Sequence, residues 1–492
     1  MAPPNKDQLA QMDKEDPLNW TRSEFEIPDA KACGGEVGEY YSSAGKVSGL
    51  RGASSGYRPE PGGTVTSSSV ARAQLTSDGE AVYFCGNSLG LLSKRGRELV
   101  MQELDTWSTS AVTGHFKHKY DRPWKHLDAP ITPIMAELVG AKESEVSHSG
   151  TLTGNLHNLF TTFYRPTQKR WKIVIERGSF PTDWYAAHSH PNLHSDILSK
   201  EQIDNAIIAL EPRKGEDTFR EEDILKVIEE NGDEIALVWL PIVQYYTGQY
   251  FNVEPLCKKT HEVGATFGLD MAHGVGNVKI ELDKWGVDFA VWCTYKYLNA
   301  GPGAIGGFFV RDGLDDGGRR MAGWWGNDPS VRFEMKEEFQ ATPGAKGYQH
   351  SCTSALGTIP LLGTLEIIKK AGFDNMRKKA DKLTGTLQEL LEASPFYVKE
   401  APKEGDNKVG FRILTPEAPW RGTQLSIEIL PKVKGTMPRV FDRMLKQGLV
   451  GDERFPYVIR LSPCVLYNTF SEVGRAVEIL NKALEDEQKE QK

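Results

Sequence analysis

Between Val82 and about Val310 the chain alternates two hydrophobic rhythms. Short runs rich in β-branched and aromatic residues fall at Lys172–Glu176, Ala206–Leu210, Ile235–Leu240, Thr266–Leu269, Phe289–Thr294 and Ile305–Val310. Between them stand longer stretches with apolar residues at helical spacing, such as Glu221–Asn231 and Glu254–Val263. Strands that read as continuous apolar runs belong in a sheet covered by helices on both faces. The pattern predicts an α/β domain with a mostly parallel sheet.

After Trp324-Trp325 the rhythm changes. Two long helices are expected, Ile359–Ala371 and Asn375–Glu392, the second with Met376, Leu383, Leu387 and Leu390 on one stripe. Strand-like Val409–Leu414, Leu425–Leu430 and Val458–Leu461 follow, with a helix near Arg439–Gln447 and a last one from Ser471. This reads as a smaller α+β domain over 346–492, beside a large domain over 81–345. Residues 1–80 read as an N-terminal arm, in which Asp16–Pro28 could dock as a short helix and turn. From about 39 to 78 the arm is dominated by Ser, Gly, Pro and Thr, too poor in large apolar groups to offset its ordering entropy.

Composition narrows the functional classes. The 492 residues carry a net charge of −8, so there is no electrostatic case for nucleic acid or an anionic membrane as partner. The longest apolar run, Ile235–Val243, is far short of a bilayer span, and the first twenty residues lack a signal-peptide core. Six scattered cysteines with no C-x-x-C pair suggest free thiols in a reducing compartment, with no zinc or other metal pattern. A cytoplasmic enzyme is the expectation.

Candidate chemistry gathers where ligands of such sheets collect, at the carboxyl ends of strands. Asp270 ends the run Gly264-Ala-Thr-Phe-Gly-Leu-Asp270, and Lys296 follows the next one, Phe289–Thr294. Adjacent strands would deliver an acid and an amine to one sheet edge. A pyridine cofactor held through a Schiff base needs that pair, with the acid keeping its ring nitrogen protonated. Asp270 could equally cap a helix, and Lys296 alone could be a surface residue. Its setting, between Tyr295 and Tyr297 and before the Asn299-Ala-Gly-Pro-Gly303 turn, favours a nucleophilic amine. His273 could lie against a ring or bond to Asp270. Ser149–Asn155 precedes a helical pattern at Leu156–Phe163 and could offer free amides to a phosphate. Phe180-Pro-Thr-Asp183 and Gln244-Tyr-Tyr-Thr-Gly248 follow strands at the same edge; Phe180 could stack on a ring and the tyrosines could donate to a phosphate.

An ordered set of short motifs sharpens this. Gly86-Asn-Ser-Leu-Gly90, Arg122-Pro-Trp124, Leu152-Thr153, Phe180-Pro-Thr-Asp183, Tyr245-Tyr-Thr-Gly248, Asp270-Met-Ala-His273, Tyr295-Lys-Tyr-Leu-Asn-Ala-Gly301, Gly323-Trp324, and Arg460 before Leu466-Tyr-Asn468 together resemble the kynureninase family. The resemblance covers most of the chain from Gly86 onward. It implies the pyridoxal phosphate (PLP) fold type I of aspartate aminotransferase, with a seven-stranded large-domain sheet and a homodimer that shares its active sites. It implies hydrolytic Cβ–Cγ cleavage of L-kynurenine or its 3-hydroxy form, giving anthranilate or 3-hydroxyanthranilate and L-alanine.

By the same resemblance Lys296 is the Schiff-base lysine and Asp270 the pyridinium partner. Leu152, Thr153, Phe180, Pro181, Thr182, Asp183, His273, Tyr246 and Tyr295 belong to the cofactor site, and Trp324 reaches the phosphate from the neighbouring subunit. Arg460 clamps the substrate α-carboxylate, with Gly114-His115 and Ser351 at the aryl end. Tyr246 is the candidate proton donor. One departure stands out: Ser351-Cys352-Thr353 replaces the family's Ser-Asn-Pro, and a thiol cannot reproduce an amide's paired donor and acceptor. In the family that position contacts the substrate's aromatic end and the cofactor region, which puts Cys352 at the cofactor site; the change bears on substrate preference and leaves a divergent relative, a desulfurase or an aminotransferase as alternatives.

Overall fold

The computed structural model describes residues 3–34, 79–314, 319–400, 405 and 407–491. The expected insert at about 39–78 lies outside the described residues. The large sheet has seven strands: β1 Val146–His148, β2 Lys172–Glu176, β3 Ile207–Leu210, β4 Ile235–Pro241, β5 Thr266–Asp270, β6 Phe289–Cys293 and β7 Gly306–Val310. Their order is β1-β7-β6-β5-β4-β2-β3, parallel from β6 to β3 and antiparallel at β7 and β1. The predicted strands fall within a residue or two of these bounds. β1 was not anticipated, because three residues are too few to show a period.

β4 to β6 are buried along almost their whole length, as their unbroken apolar runs predict. Aromatic packing fixes one face: Phe289 stacks on Phe163 at 4.9 Å and on Trp239 at 5.5 Å, and Phe160 meets Trp239 edge-on at 5.1 Å. Gly268 on β5 makes room for this stack, since a Cβ there would lie 2.5 Å from the Phe289 ring.

The second sheet is antiparallel, with strands β8 Gly410–Ile413, β9 Leu425–Leu430, β10 Asp452–Arg454 and β11 Val458–Leu461 in the order β10-β11-β9-β8. Its core joins Leu383, Leu387 and Leu391 of helix Phe373–Glu392 to Ile427, Ile429, Val473 and Leu480. Helix Ala355–Ala371 instead buries Ile359, Leu361 and Leu365 in the large-sheet core. The arm holds a helix at Lys6–Glu15 and a tight 3₁₀ turn at Asn19–Glu24. Leu9 is buried in the small-sheet core and Leu18 in the large one, so the arm packs against both.

Candidate active site

The ends of β2, β4 and β5 and the first turns of two helices meet around one cavity. Asp270 is the last residue of β5, in register with Pro241 on β4 and Val291 on β6. Lys296 lies three residues beyond β6 in the same cavity wall. Adjacent parallel strands therefore bring the acid and the amine to one edge, as their spacing predicts.

Leu152, Thr153, Phe180, Thr182, Asp183, His273 and Tyr295 line the same cavity, together with Ser179, Tyr245 and Glu176. Lys296 Nζ stands 5.8 Å over the Phe180 ring, and Tyr245 meets Phe180 edge-on at 5.4 Å. Tyr297 turns away to pair with Ser462 at 2.9 Å, so Phe180 rather than Tyr297 packs on the lysine.

At one end of the cavity, helix Leu152–Phe163 begins four residues earlier than the sequence reading. Thr151 caps it, accepting from Gly154 N–H at 3.2 Å. Leu152 and Thr153 therefore occupy its first turn, where amides are free for an anion. Thr153 Oγ1 also lies 3.3 Å from Thr182 Oγ1, adding hydroxyls at that end. Pro181 starts the helix Pro181–Ser189, its fixed φ suiting the first turn. Asp183 is thus a helical residue, not a turn residue.

The other end is acidic. Asp270 Oδ1 accepts from Ala272 N–H at 2.7 Å, and Trp239 Nε1 donates to Asp183 Oδ1 at 2.8 Å. Burial raises the Asp270 carboxyl, with Lys296 opposing the shift. Burial, and then the Asp270 charge, hold Asp183 well above the carboxylate range, the two acids sharing a hydrogen bond. Burial pushes Glu176 up to about 8. His273 is held well below its ordinary value by burial and then by Lys296, so it is neutral, and its Nδ1 is buried without a partner. The described contacts give Asp270 the Ala272 amide and Asp183, not His273. Of the two roles expected for His273, a place against the ring is the one its position supports.

The remaining expected residues lie outside the cavity wall. Tyr246 is turned toward Glu428, Asp217 and Arg412, and burial pushes its phenol up to about 12. Its neighbour Tyr245, not Tyr246, stands in the cavity wall. Arg460 is 1% exposed on β11 and donates through Nη1 to Tyr245 O at 2.7 Å. Its Nη2 is bound by Asp452, directly opposite on β10, and its Nε is buried without a partner. Trp324, 47% exposed, donates Nε1 to Arg332 O at 3.0 Å. His115 packs edge-on against Trp124 at 5.2 Å. Ser351 is exposed, and the half-buried Cys352 has its thiol raised by burial.

Glu176 escaped the sequence reading although it carries the same sign as Asp270. It is an acid ending a buried apolar strand, Ile173-Val-Ile-Glu176.

Comparison with known proteins settles the family. Residues 189–414 match the aminotransferase class-V family, and residues 376–480 match the kynureninase C-terminal domain. A kynureninase of Cryptococcus neoformans var. neoformans serotype D is 61% identical over 489 residues, covering 99% of both chains. The kynureninase of Saccharomyces cerevisiae is 46% identical, covering 84% of this chain and 93% of its own. The chain belongs to the kynureninase family. Membership makes it a PLP-dependent hydrolase that cleaves kynurenine, as the motifs imply.

Solved structures show the fold at low identity. A C-DES mutant with glycine covalently linked to the PLP cofactor aligns at TM-score 0.66 and 14% identity, over 82% of this chain and 96% of that one. The cysteine desulfurase CsdA from Escherichia coli aligns at 0.62 and 15%, over 82% and 95%. The kynureninase-family cavity has the donor set such a cofactor needs: amides and hydroxyls at one end, an aromatic face, a lysine, and a buried acid at the other end.

Proposed function

We propose that this member of the kynureninase family cleaves L-kynurenine, its 3-hydroxy form or both by hydrolysis of the Cβ–Cγ bond, using the residues of the cavity described above. The observation that carries the reading is the placement of Lys296 and Asp270 in one cavity at neighbouring strand ends. Bound PLP supplies an electron sink for the carbanions the reaction generates. Asp270 would hold the ring-nitrogen proton, and Phe180 would pack beside the ring. Thr153, Thr182 and the free amides at Leu152 and Thr153 hold the phosphate.

Lys296 would hold the cofactor covalently, and its amine is placed to move the substrate α-proton. Arg460 holds the substrate α-carboxylate, its permanently charged guanidinium supplying the opposite charge. Its unpartnered Nε is a donor for that role, beside the Nη2 already taken by Asp452. The proton donor toward the γ-carbonyl is Tyr295. It borders Lys296 in the cavity wall, and burial raises its phenol, keeping the proton in place at neutral pH.

The active enzyme is a cytosolic homodimer. Its support is an exposed aromatic chain: Trp324 meets Phe333 at 5.7 Å, and Phe333 meets Phe116 at 5.4 Å, each ring at least 42% exposed. A second copy covering this surface would bring Trp324, and with it Ser351 and Cys352, toward the neighbouring cavity. No helix among the described residues is long and apolar enough to cross a membrane.

A desulfurase reading needs a reactive thiolate. Cys352 lies outside the cavity wall, and burial raises its thiol, which disfavours that reading. The test is release of fluorescent anthranilate from L-kynurenine, with borohydride trapping and peptide mapping of the pyridoxyl group. The adduct is expected on Lys296; an adduct on another lysine, or sulfide from cysteine without anthranilate from kynurenine, would overturn the reading.

A further inference from the structure

Glu176 belongs to the cavity wall, is 1% exposed and has no role in the chemistry above. Its surroundings dictate how its two oxygens are used. Gln244 Oε1 accepts three donors at once: Tyr246 N–H at 2.7 Å, Thr247 N–H at 2.7 Å and Thr247 Oγ1 at 3.1 Å. The Gln244 amide is thereby locked with its NH₂ group toward Glu176, donating to Oε1 at 3.4 Å. Oε1 is thus an acceptor, and any proton on the carboxyl resides on Oε2. That second oxygen is buried and has no partner.

Charge balance points the same way. Glu176 shares the cavity with Asp183, Asp270, Lys296, His273 and Tyr245. Lys296 is the one basic residue there besides His273, which burial keeps neutral. Three buried carboxyls facing one amine cannot all ionise cheaply. Asp270, whose charge Lys296 favours, is the one best placed to stay ionised.

We infer that Glu176 is a third acid of the ring-nitrogen site: a positioning residue that carries a proton on Oε2 in the cofactor-free protein and releases it when a cationic pyridine ring seats against Asp270. The step is a simple ionisation. The O–H bond of the carboxyl breaks, the proton goes to solvent, and the carboxylate left behind balances the charge the ring brings. The direction follows from linkage. Burial holds the carboxyl at about 8 in the free protein, and the incoming positive charge lowers it. Between the lowered value and about 8 binding expels a proton, so affinity rises with pH and levels off above about 8. The Gln244 bond carries a second consequence. It ties Glu176 to the turn whose Tyr245 carbonyl accepts from Arg460, so the acid also steadies the support of the carboxylate clamp.

The inference rests on the cofactor assignment above, and its test avoids the lysine chemistry. The probe is 4-deoxypyridoxine 5′-phosphate, which has the ring nitrogen and phosphate of the cofactor but no aldehyde for Lys296. Its affinity for cofactor-free wild type and Glu176→Gln is measured from pH 6.5 to 9.5, where probe phosphate ionisation affects both proteins equally. In wild type the affinity should climb toward the one-proton limit of tenfold per pH unit and flatten near pH 8, while in Glu176→Gln that climb should be lost. Equal slopes in the two proteins would overturn the inference alone. Failure of wild type to bind the probe at any pH would overturn the cofactor assignment and the inference with it. Should Glu176→Gln not fold, calorimetry of probe binding at pH 7.5, in two buffers of different ionisation enthalpy, compares wild type with Asp183→Asn: net proton release that persists without the Asp183 carboxyl supports the inference, and its loss there or its absence from wild type overturns it.

Discussion

The two ends of a substrate in this cavity would meet very different construction. The cofactor end is built by one sheet: Glu176, Asp270 and Lys296 sit at or just beyond the ends of β2, β5 and β6, braced by Trp239 and Phe289. The aryl end is expected from His115, Ser351 and Cys352, which lie outside the cavity wall, as does the exposed Trp324 expected at a neighbour's phosphate. Arg460 stands between, buried in the small sheet yet hydrogen-bonded to Tyr245 in the wall. Chemistry common to many PLP enzymes is thus held by rigid strand ends. The groups expected to choose the substrate ride on loops and on exposed surface.

The sharpest break of that comparison is at the cofactor end. Asp270→Asn keeps the side chain's size and removes its charge. Turnover should fall roughly 10²–10³-fold, the usual loss when one preorganised electrostatic group is removed. The Lys296 adduct should still form. A variant retaining a tenth of wild-type turnover would remove Asp270 from the role of pyridinium partner.

Arg460→Gln tests the bridge between the two ends. Losing charge-assisted hydrogen bonds costs about 1.5–3 kcal/mol, so KM for the amino-acid substrate should rise roughly 10- to 150-fold with a smaller change in kcat. Asp452 keeps Arg454 as a partner at 3.0 Å, so the fold should survive. An unchanged KM would show that Arg460 serves Asp452 and the small sheet rather than the substrate.

Trp324→Ala asks whether the aromatic surface completes a neighbouring site. With its exposed ring removed, cofactor retention should weaken roughly fivefold to tenfold, about one hydrogen bond's worth, and the dimer should dissociate at higher protein concentration. Sedimentation and cofactor release rates measure the two effects. Loss of neither would confine Trp324 to its own subunit.

Much of the cofactor end was legible in the chain because two independent signals coincide there. Apolar strand runs fix where strands end, and an acid or amine at such an end has few bland reasons to be present. The same logic reaches Glu176, an acid at the end of the buried apolar strand β2. The Tyr245-Tyr246 pair shows a different limit. Adjacent residues in a turn face different ways, and one position decides whether a phenol meets the cavity or the Glu428–Arg412 pair. β1 and the early start of the helix at Leu152 were beyond periodicity, since a three-residue strand has no period and helix caps depend on local hydrogen bonds. The aryl end was legible only through resemblance, because residues on a surface show no pattern of their own.

Cys352→Asn is the mildest change and the one that belongs wholly to the substrate-choosing end. The thiol lies 3.8 Å from its neighbour's carbonyl, Thr353 O, a weak contact that costs little to lose. Arg332 and Asp128 exert opposing influences on it, so no strong field fixes its orientation. An amide at this position restores a donor and an acceptor together. If that position reaches the ring of the substrate across the dimer, one regained hydrogen bond of about 1 kcal/mol should alter the ratio of kcat/KM for kynurenine and 3-hydroxykynurenine roughly fivefold. Fluorescence of anthranilate and 3-hydroxyanthranilate reads both rates. Equal shifts in both, leaving the ratio fixed, would place residue 352 outside substrate choice and leave His115 and Ser351 as the remaining candidates at that end.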